Sequence, residues 1–323
     1  MAGPAIGSGI GPAIGIDVGG TKIAAAVVGD DGAIIARDAI ATAADAPNAI
    51  ATGIVKIARE LRGVAPSVCA VGIGAAGLVD SARGMIVAAP NLSYRNLAIR
   101  DLVSARLSLP AFVDNDANTA AWAEARFGAG RGRGDQIMIT VGTGIGGGLI
   151  LGERVYRGVH GFAAEIGHMI VLPGGPSCPC GARGCFEQLA SGNAIGRIAR
   201  ERIEAAPDSL VLERAGDAAA ITGEIVGRAA RDGDVFAREI VAEAGRWLGI
   251  GIASLVNVFD PAVVIVGGGA AAGTGDLLLD PARDALREHL TLAVHRPAVE
   301  IVPAALGNDA GAVGAADLAR SAR

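Results

Sequence analysis

Residues 13–28 read Ala-Ile-Gly-Ile-Asp-Val-Gly-Gly-Thr-Lys-Ile-Ala-Ala-Ala-Val-Val: an apolar strand, a turn at Gly19-Gly20-Thr21, and a second apolar strand. A related pattern returns at residues 137–151, where Ile-Met-Ile-Thr-Val leads into Gly142-Thr143-Gly144 and then Ile-Gly-Gly-Gly-Leu-Ile-Leu. Two similar hairpins imply two similar halves. Apolar residues recur at helical spacing over residues 49–62 and 118–127, so strand-rich and helix-rich segments alternate. A mixed α/β architecture follows, with the cleft between the halves as the natural ligand site. Further helices are expected over 191–204, 217–231 and 235–256, and a strand over 262–266 runs into Gly267-Gly268-Gly269. The last helix, 309–319, is expected to return and pack on the first domain.

At 323 residues the chain exceeds one comfortable core, so two domains are expected. The division is 13–118 plus 305–323 for the smaller domain and 119–304 for the larger, after a flexible tail over 1–12. The 51% hydrophobic content comes with 19% charged residues and no apolar stretch long enough to cross a bilayer, which argues against a membrane protein. Net charge is −5 and no Lys/Arg-rich run appears, so the footprint of a nucleic-acid binder is missing. The first residues carry neither a basic region nor a continuous apolar one, so a cytoplasmic location is expected. Aromatic residues are only 3%, which makes a stacking platform improbable and recognition polar.

Three of the four cysteines crowd together with a histidine: His168, Cys178, Cys180 and Cys185 form H-x9-C-x-C-x4-C. Three thiolates and an imidazole are the donor set of a closed, tetrahedral structural zinc site. Pro179, Gly181 and Gly184 supply the turns that fold a short loop, 168–185, around one ion. The alternative is a disulfide plus a spare thiol, which a reducing compartment disfavours. Cys69, in the apolar run Ser67-Val68-Cys69-Ala70-Val71, reads as a core residue.

The turn Asp17-Val18-Gly19-Gly20-Thr21-Lys22 puts a carboxylate at a strand end, then glycines whose N–H groups can approach a phosphate, then a hydroxyl. Asp17 can hold Mg²⁺ through water; the plainer reading is a hairpin turn, with Lys22 solvated. Gly142 to Gly147 satisfies G-x-G-x-x-G, but the dinucleotide fingerprint needs glycines that open a helix, and here they continue as strand. A second phosphate-binding hairpin fits better; a structural turn is the alternative. Val113-Asp114-Asn115-Asp116-Ala117-Asn118 joins a strand to a helix, where Asp or Asn caps the helix and an aspartate can also accept a hydroxyl proton. Glu165 and Glu187 bracket the metal loop, either as surface charge or as partners for sugar hydroxyls.

Taken together, G-I-D-V-G-G-T-K from Gly15, D-N-D-A-N from Asp114, V-G-T-G-I-G-G-G from Val141, E-I-G-H from Glu165, C-P-C-G-A-R-G-C-F-E from Cys178 and V-G-G-G from Val266 resemble the ROK family (repressor, open reading frame, kinase). The likeness runs from about Ala13 to the end. It extends to the ATP-dependent glucokinases of actinobacteria through A-A-G-L ending at Leu78, P-N-L at Pro90 and A-S-G-N after the metal loop. The resemblance implies the two-domain, ribonuclease H-like fold of actin-like ATPases and sugar kinases. It implies transfer of the ATP γ-phosphoryl group to the 6-hydroxyl of glucose, with Asp116 as the base and Asn115 binding an adjacent hydroxyl. Glu165, His168 and Glu187 would contact the C1 to C3 side of the sugar, and Gly77 and Asn91 would complete the pocket. His168 would ligate zinc through one ring nitrogen and meet the sugar through the other. Asp17, Gly19, Gly20, Thr21, Thr143 and Gly144, with Lys22 beside them, would cradle the phosphates and Mg²⁺, and Gly267, Gly268 and Gly269 would pass the adenosine. Glycines on the adenosine side favour ATP over polyphosphate. The family also implies a homodimer or homotetramer, and includes kinases for N-acetylmannosamine, mannose or fructose and sugar-sensing repressors. About a dozen residues before the first strand leave no room for a helix-turn-helix domain, which disfavours a repressor. Asp114 stands where a glutamate is common before Asn-Asp, and residues 158–162 depart from the family pattern.

Overall fold

The computed structural model describes residues 11–42, 49–88 and 95–322. Asn91 and residues 1–10 of the expected tail lie outside them. The first hairpin is β1 (Ala13–Val18) and β2 (Lys22–Val28), antiparallel with Asp17 opposite Ala24. β3 (Ile34–Ala41) pairs with β2, and after α1 (Ala49–Val64) β4 (Val71–Ala75) runs parallel to β1. A small sheet of β5 (Leu78–Asp80), β6 (Met85–Ala88) and β7 (Arg95–Leu97) follows. Then α2 (Ile99–Leu107) leads to β8 (Ala111–Asn115), parallel to β4, and α3 (Asp116–Phe127) closes this half.

The second hairpin is β9 (Gln136–Val141) and β10 (Ile145–Leu151), with β11 (Arg154–Val155) on its edge. Helices α4 (Glu187–Ala190), α5 (Gly192–Arg202), α6 (Leu210–Ala215), α7 (Gly223–Arg231) and α8 (Val235–Phe259) precede β12 (Val263–Gly267), which is parallel to β9. α9 (Gly269–Thr274), α10 (Asp276–His289), β13 (Glu300–Pro303) and α11 (Ala310–Ser321) complete the chain. The two five-stranded sheets have orders β3-β2-β1-β4-β8 and β11-β10-β9-β12-β13, the same arrangement twice. The repeat implied by the two hairpins is therefore real.

Side-chain size along the strands explains how the layers stack. Successive strand residues face opposite sides. In β1, Ile14, Ile16 and Val18 enter the core beneath α1, whereas Ala13, Gly15 and Asp17 face α11. A Cβ on Gly15 would lie 1.7 Å from the Ala312 carbonyl oxygen, and one on Gly148 of β10 would lie 2.5 Å from the Ala121 methyl. Helices α11 and α3 thus press directly on strand backbone, and only glycine permits the approach. α11 is buried from Ala310 to Arg320 because it lies between the sheets, which is why its sequence is mostly small and apolar, with its two buried charges, Asp317 and Arg320, paired at 2.9 Å. On the far side of the second sheet, α8 buries Leu248, Ile252 and Val256 completely, each contributing about 1.5–3 kcal/mol.

Two expectations need correction. The helix expected over 217–231 is broken: a short 3₁₀ turn covers Ala218–Ala220, and α7 starts afresh after Thr222, whose hydroxyl accepts the Ile225 N–H at 3.3 Å. Threonine competes well for a cap and poorly for a helix interior, and it restarts the helix. Cys69 is half-buried rather than a full core residue, with Sγ 3.7 Å from the Gly11 carbonyl.

The chain crosses from the first sheet to the second after α3 and returns before α11. Fully buried Glu124 ties both crossings: Oε2 accepts from Ala129 N at 2.8 Å and Ala305 N at 3.1 Å, and Oε1 from Leu306 N at 2.7 Å. Glu124→Ala strands these three donors, each at about 1–3 kcal/mol, so a loss of ~3 kcal/mol or more is expected in urea unfolding. A loss below about 1 kcal/mol would contradict this account of the two crossings.

Candidate active site

The carboxyl ends of the parallel strands β1, β4 and β8 lie side by side, at the edge where open α/β sheets bind ligands. Asn115 ends β8 and caps α3: its Oδ1 accepts from Ala117 N at 2.9 Å and Asn118 N at 3.2 Å. Its Nδ2 donates to the Gly77 carbonyl at 3.1 Å, and Gly77 holds φ at +101°, a conformation suited to glycine. Asn115 and Gly77, two of the residues assigned to the pocket from sequence, therefore form one rigid corner. Asp116, the first residue of α3, accepts the Ala117 N–H at 2.9 Å. Burial raises its carboxyl above the ordinary range, opposed by backbone N–H groups.

Asp17 titrates at about 6, raised from 3.8 by burial first and then by the charge of Asp116, while Lys22 opposes. The two carboxylates thus share a field at the carboxyl edge of the first sheet. A folded form that binds a proton up to about pH 6, against 3.8 for the free group, loses stability as pH rises through that window. Asp17→Asn removes the burden, so the variant without ligand is expected to gain up to about 3 kcal/mol near pH 7.5, shrinking towards zero near pH 4. Melting curves at both pH values check this; equal curves at the higher pH would contradict it. The remaining turn residues stay accessible: Gly20 and Thr21 are exposed, and the turn is braced by Thr42 Oγ1 donating to Gly19 O at 2.8 Å.

Glu165 lies in the same field. Burial raises it, His168 opposes, and Asp116 and Glu187 add to the rise. Glu187 opens α4 and accepts the Ile145 N–H at 3.0 Å through Oε2. A Cβ on Gly144 would sit 2.2 Å from that oxygen, so this glycine seats the carboxylate against the second turn. Glu187, expected at the sugar, braces the second hairpin.

His168, Cys178, Cys180 and Cys185 bring one donor atom each within 4.8 Å of one another. His168 Nδ1 lies 3.7 Å from Cys178 Sγ, and the Cys180 and Cys185 sulfurs are 3.6 Å apart, as thiols rather than a disulfide. Gly181 at φ +96° and Gly184 at φ +76° make the turns read from the sequence. Burial, then the neighbouring Cys180 and Cys178 thiols, push Cys185 up to about 12. Thiols this crowded cannot ionise together without a cation, and the donor set suits a soft divalent metal.

Beyond the second turn lies a cleft of about 610 Å³ lined by Gly142, Thr143, Gly192, Asn193, Thr222, Gly223, Gly269 and Ala270, with Arg228 and Arg231 at α7. Gly192 N donates to Gly142 O at 2.8 Å and Asn193 N to Thr143 O at 3.2 Å, which locks the start of α5 onto the hairpin. The N-termini of α5 and α7, capped by Ser191 and Thr222, meet here, and helix N-termini favour anions. Of the three glycines after β12, Gly269 lines the cleft. Gly268, at φ +90°, presses on the Val141 backbone, and Gly267 is packed against Met138 and Ala304. The sequence reading missed Gly192, Asn193, Thr222 and Gly223 as cleft residues. Its available signal was a hydroxyl residue followed by glycine, Ser191-Gly192 and Thr222-Gly223, at a helix start.

Residues 13–322 match the ROK family. The chain is 45% identical over 314 residues to a glucokinase of Streptomyces coelicolor, covering 96% of this chain and 98% of that one. It is 35% identical over 308 residues to a glucokinase of Thermotoga maritima, covering 94% and 96% respectively. Its fold matches the crystal structure of a ROK family glucokinase from Streptomyces griseus in complex with glucose and AMPPNP, with TM-score 0.87, 46% identity, and 96% and 99% of the two chains covered. With the doubled sheet, the two glycine turns and the Cys₃His knuckle all lying inside the matched span, the chain belongs to the ROK family.

Proposed function

We propose that this protein is an ATP-dependent glucokinase that transfers the γ-phosphoryl group of ATP to the 6-hydroxyl of glucose, with Asp116 as general base. The observation that carries the reading is the position of Asp116, whose raised carboxyl shares one field with Asp17 on one side and Glu165 on the other. Carboxylates accept hydrogen bonds from a neutral, many-hydroxyl acceptor. The cleft beyond the second turn offers helix N-termini and backbone donors, which suit a triphosphate.

Asp116 takes the proton of the sugar 6-hydroxyl as that oxygen bonds to the γ-phosphorus, the bond from phosphorus to the bridging oxygen breaks, and ADP leaves. The two lobes, one built on each five-stranded sheet, close over both substrates and exclude water, which suppresses wasteful hydrolysis. Asp17 is the residue to hold Mg²⁺ through water, and the cation would supply charge neutralisation at the phosphates. His168, Cys178, Cys180 and Cys185 hold structural zinc, which stiffens the loop that carries the sugar contacts. The test is ADP release with Mg-ATP against glucose, mannose, fructose and N-acetylmannosamine. Selective turnover of glucose supports the reading; preference for another hexose replaces the acceptor, and silence on all of them overturns the kinase assignment.

A further inference from the structure

The loop that delivers Glu165 starts from β11 in the second sheet, yet it is strapped to the first. Arg157 Nε and Nη2 reach Asp114 Oδ2 at 2.7 and 2.6 Å, and the guanidinium lies over the Phe112 ring at 5.7 Å. Four residues on, Gly161 passes so close to β5 that a Cβ there would lie 2.6 Å from the Val79 carbonyl oxygen. Two residues beyond Gly161 the loop closes on itself through Ala163 N donating to Arg157 O at 3.1 Å. Ala164 then takes φ +69°, an unfavourable conformation for alanine that the anchors sustain, and the next residue is Glu165.

Asp114 is 1% exposed and has no spare acceptor. Its Oδ1 accepts from Asn115 N at 2.8 Å and Asn118 Nδ2 at 3.0 Å, so one oxygen fixes the catalytic corner while the other fixes the loop. We propose that Arg157 is a positioning residue for the acceptor sugar, setting through Asp114 the spacing between Asp116 and Glu165. This rests on the functional reading above. Two guanidinium nitrogens converging on one carboxylate oxygen, with the Phe112 ring against the guanidinium, fix an orientation as well as a distance, which a point charge does not.

The test is steady-state kinetics of Arg157→Lys and Arg157→Ala beside the wild type, with ADP and sugar phosphate both measured. Misplacement of about 1 Å is enough to cost ~100-fold, so KM for glucose is expected to rise about tenfold in the lysine variant and about a hundredfold in the alanine variant. KM for ATP is expected to stay within about twofold, because the nucleotide cleft is formed by other segments, and ADP released per sugar phosphate is expected to rise above unity as the loosened site admits water. Folded variants that melt lower but keep the wild-type glucose KM and one-to-one stoichiometry would overturn the proposal. Should the alanine variant not fold, the lysine variant carries the test, since it retains the charge that buried Asp114 requires. A wild type inert towards every sugar would overturn the functional reading separately. Amide exchange would then still judge the strap: faster exchange over 157–165 in Arg157→Lys supports it, and equal exchange refutes it.

Discussion

Asp116→Asn is expected to lower kcat for glucose phosphorylation by about 10²- to 10⁴-fold while KM for glucose changes by less than about fivefold. Asparagine has the same shape and can still accept the Ala117 N–H that Asp116 accepts at 2.9 Å, so the start of α3 is preserved. What it removes is the basicity. The neighbouring Asn115 keeps its cap and its bond to Gly77, so the pocket corner stays intact. In the wild type, the raised Asp116 carboxyl means that the base form is lost as pH falls through that elevated value, and kcat should fall with it on the acid side. A variant with kcat within about threefold of wild type would remove Asp116 from the chemistry.

Cys185→Ser is expected to abolish tight metal binding and to lower kcat/KM for glucose by about 10²-fold or more, chiefly through KM. Cys185 is fully buried and is followed directly by Phe186, also fully buried, which anchors the knuckle beneath α8. Glu187 comes next and holds the Ile145 N–H of the second glycine turn. An ion held here would steady both the loop that carries Glu187 and, through that residue, the second glycine turn. Structural zinc contributes about 10–16 kcal/mol of apparent binding free energy in small sites, ample to order a loop of this size. Metal analysis and kinetics on the same preparation check the expectation. Wild-type protein stripped of metal yet fully active would contradict it.

The features legible in the sequence were those with a strong local code. The two hairpins could be read because glycine turns interrupt apolar strands at 19–21 and 142–144, and rejecting the dinucleotide fingerprint followed from Gly148 to Leu151 continuing as apolar strand. The metal cluster was legible because cysteines are scarce here. What escaped depends on tertiary approach. Nothing local distinguishes Glu124 from an ordinary helix glutamate until Ala305 and Leu306 return to it across the fold. Arg157 reads as one arginine among many until β11 is placed beside Asp114. The break at Thr222 was missed because apolar spacing on either side stays in phase, and a cap preference is weaker than periodicity. Gly267 and Gly268 looked like ligand contacts, but their missing side chains are explained by the packing of β12 against Met138, Ala304 and Val141.

The most direct measurement is ³¹P NMR of the product formed from Mg-ATP and glucose by the wild type and by Asp116→Asn at equal enzyme concentration. The account predicts phosphate on O6 alone with the wild type and almost no sugar phosphate with the variant in the same time. Phosphate on another oxygen, free phosphate without sugar phosphate, or equal product from both proteins would contradict it.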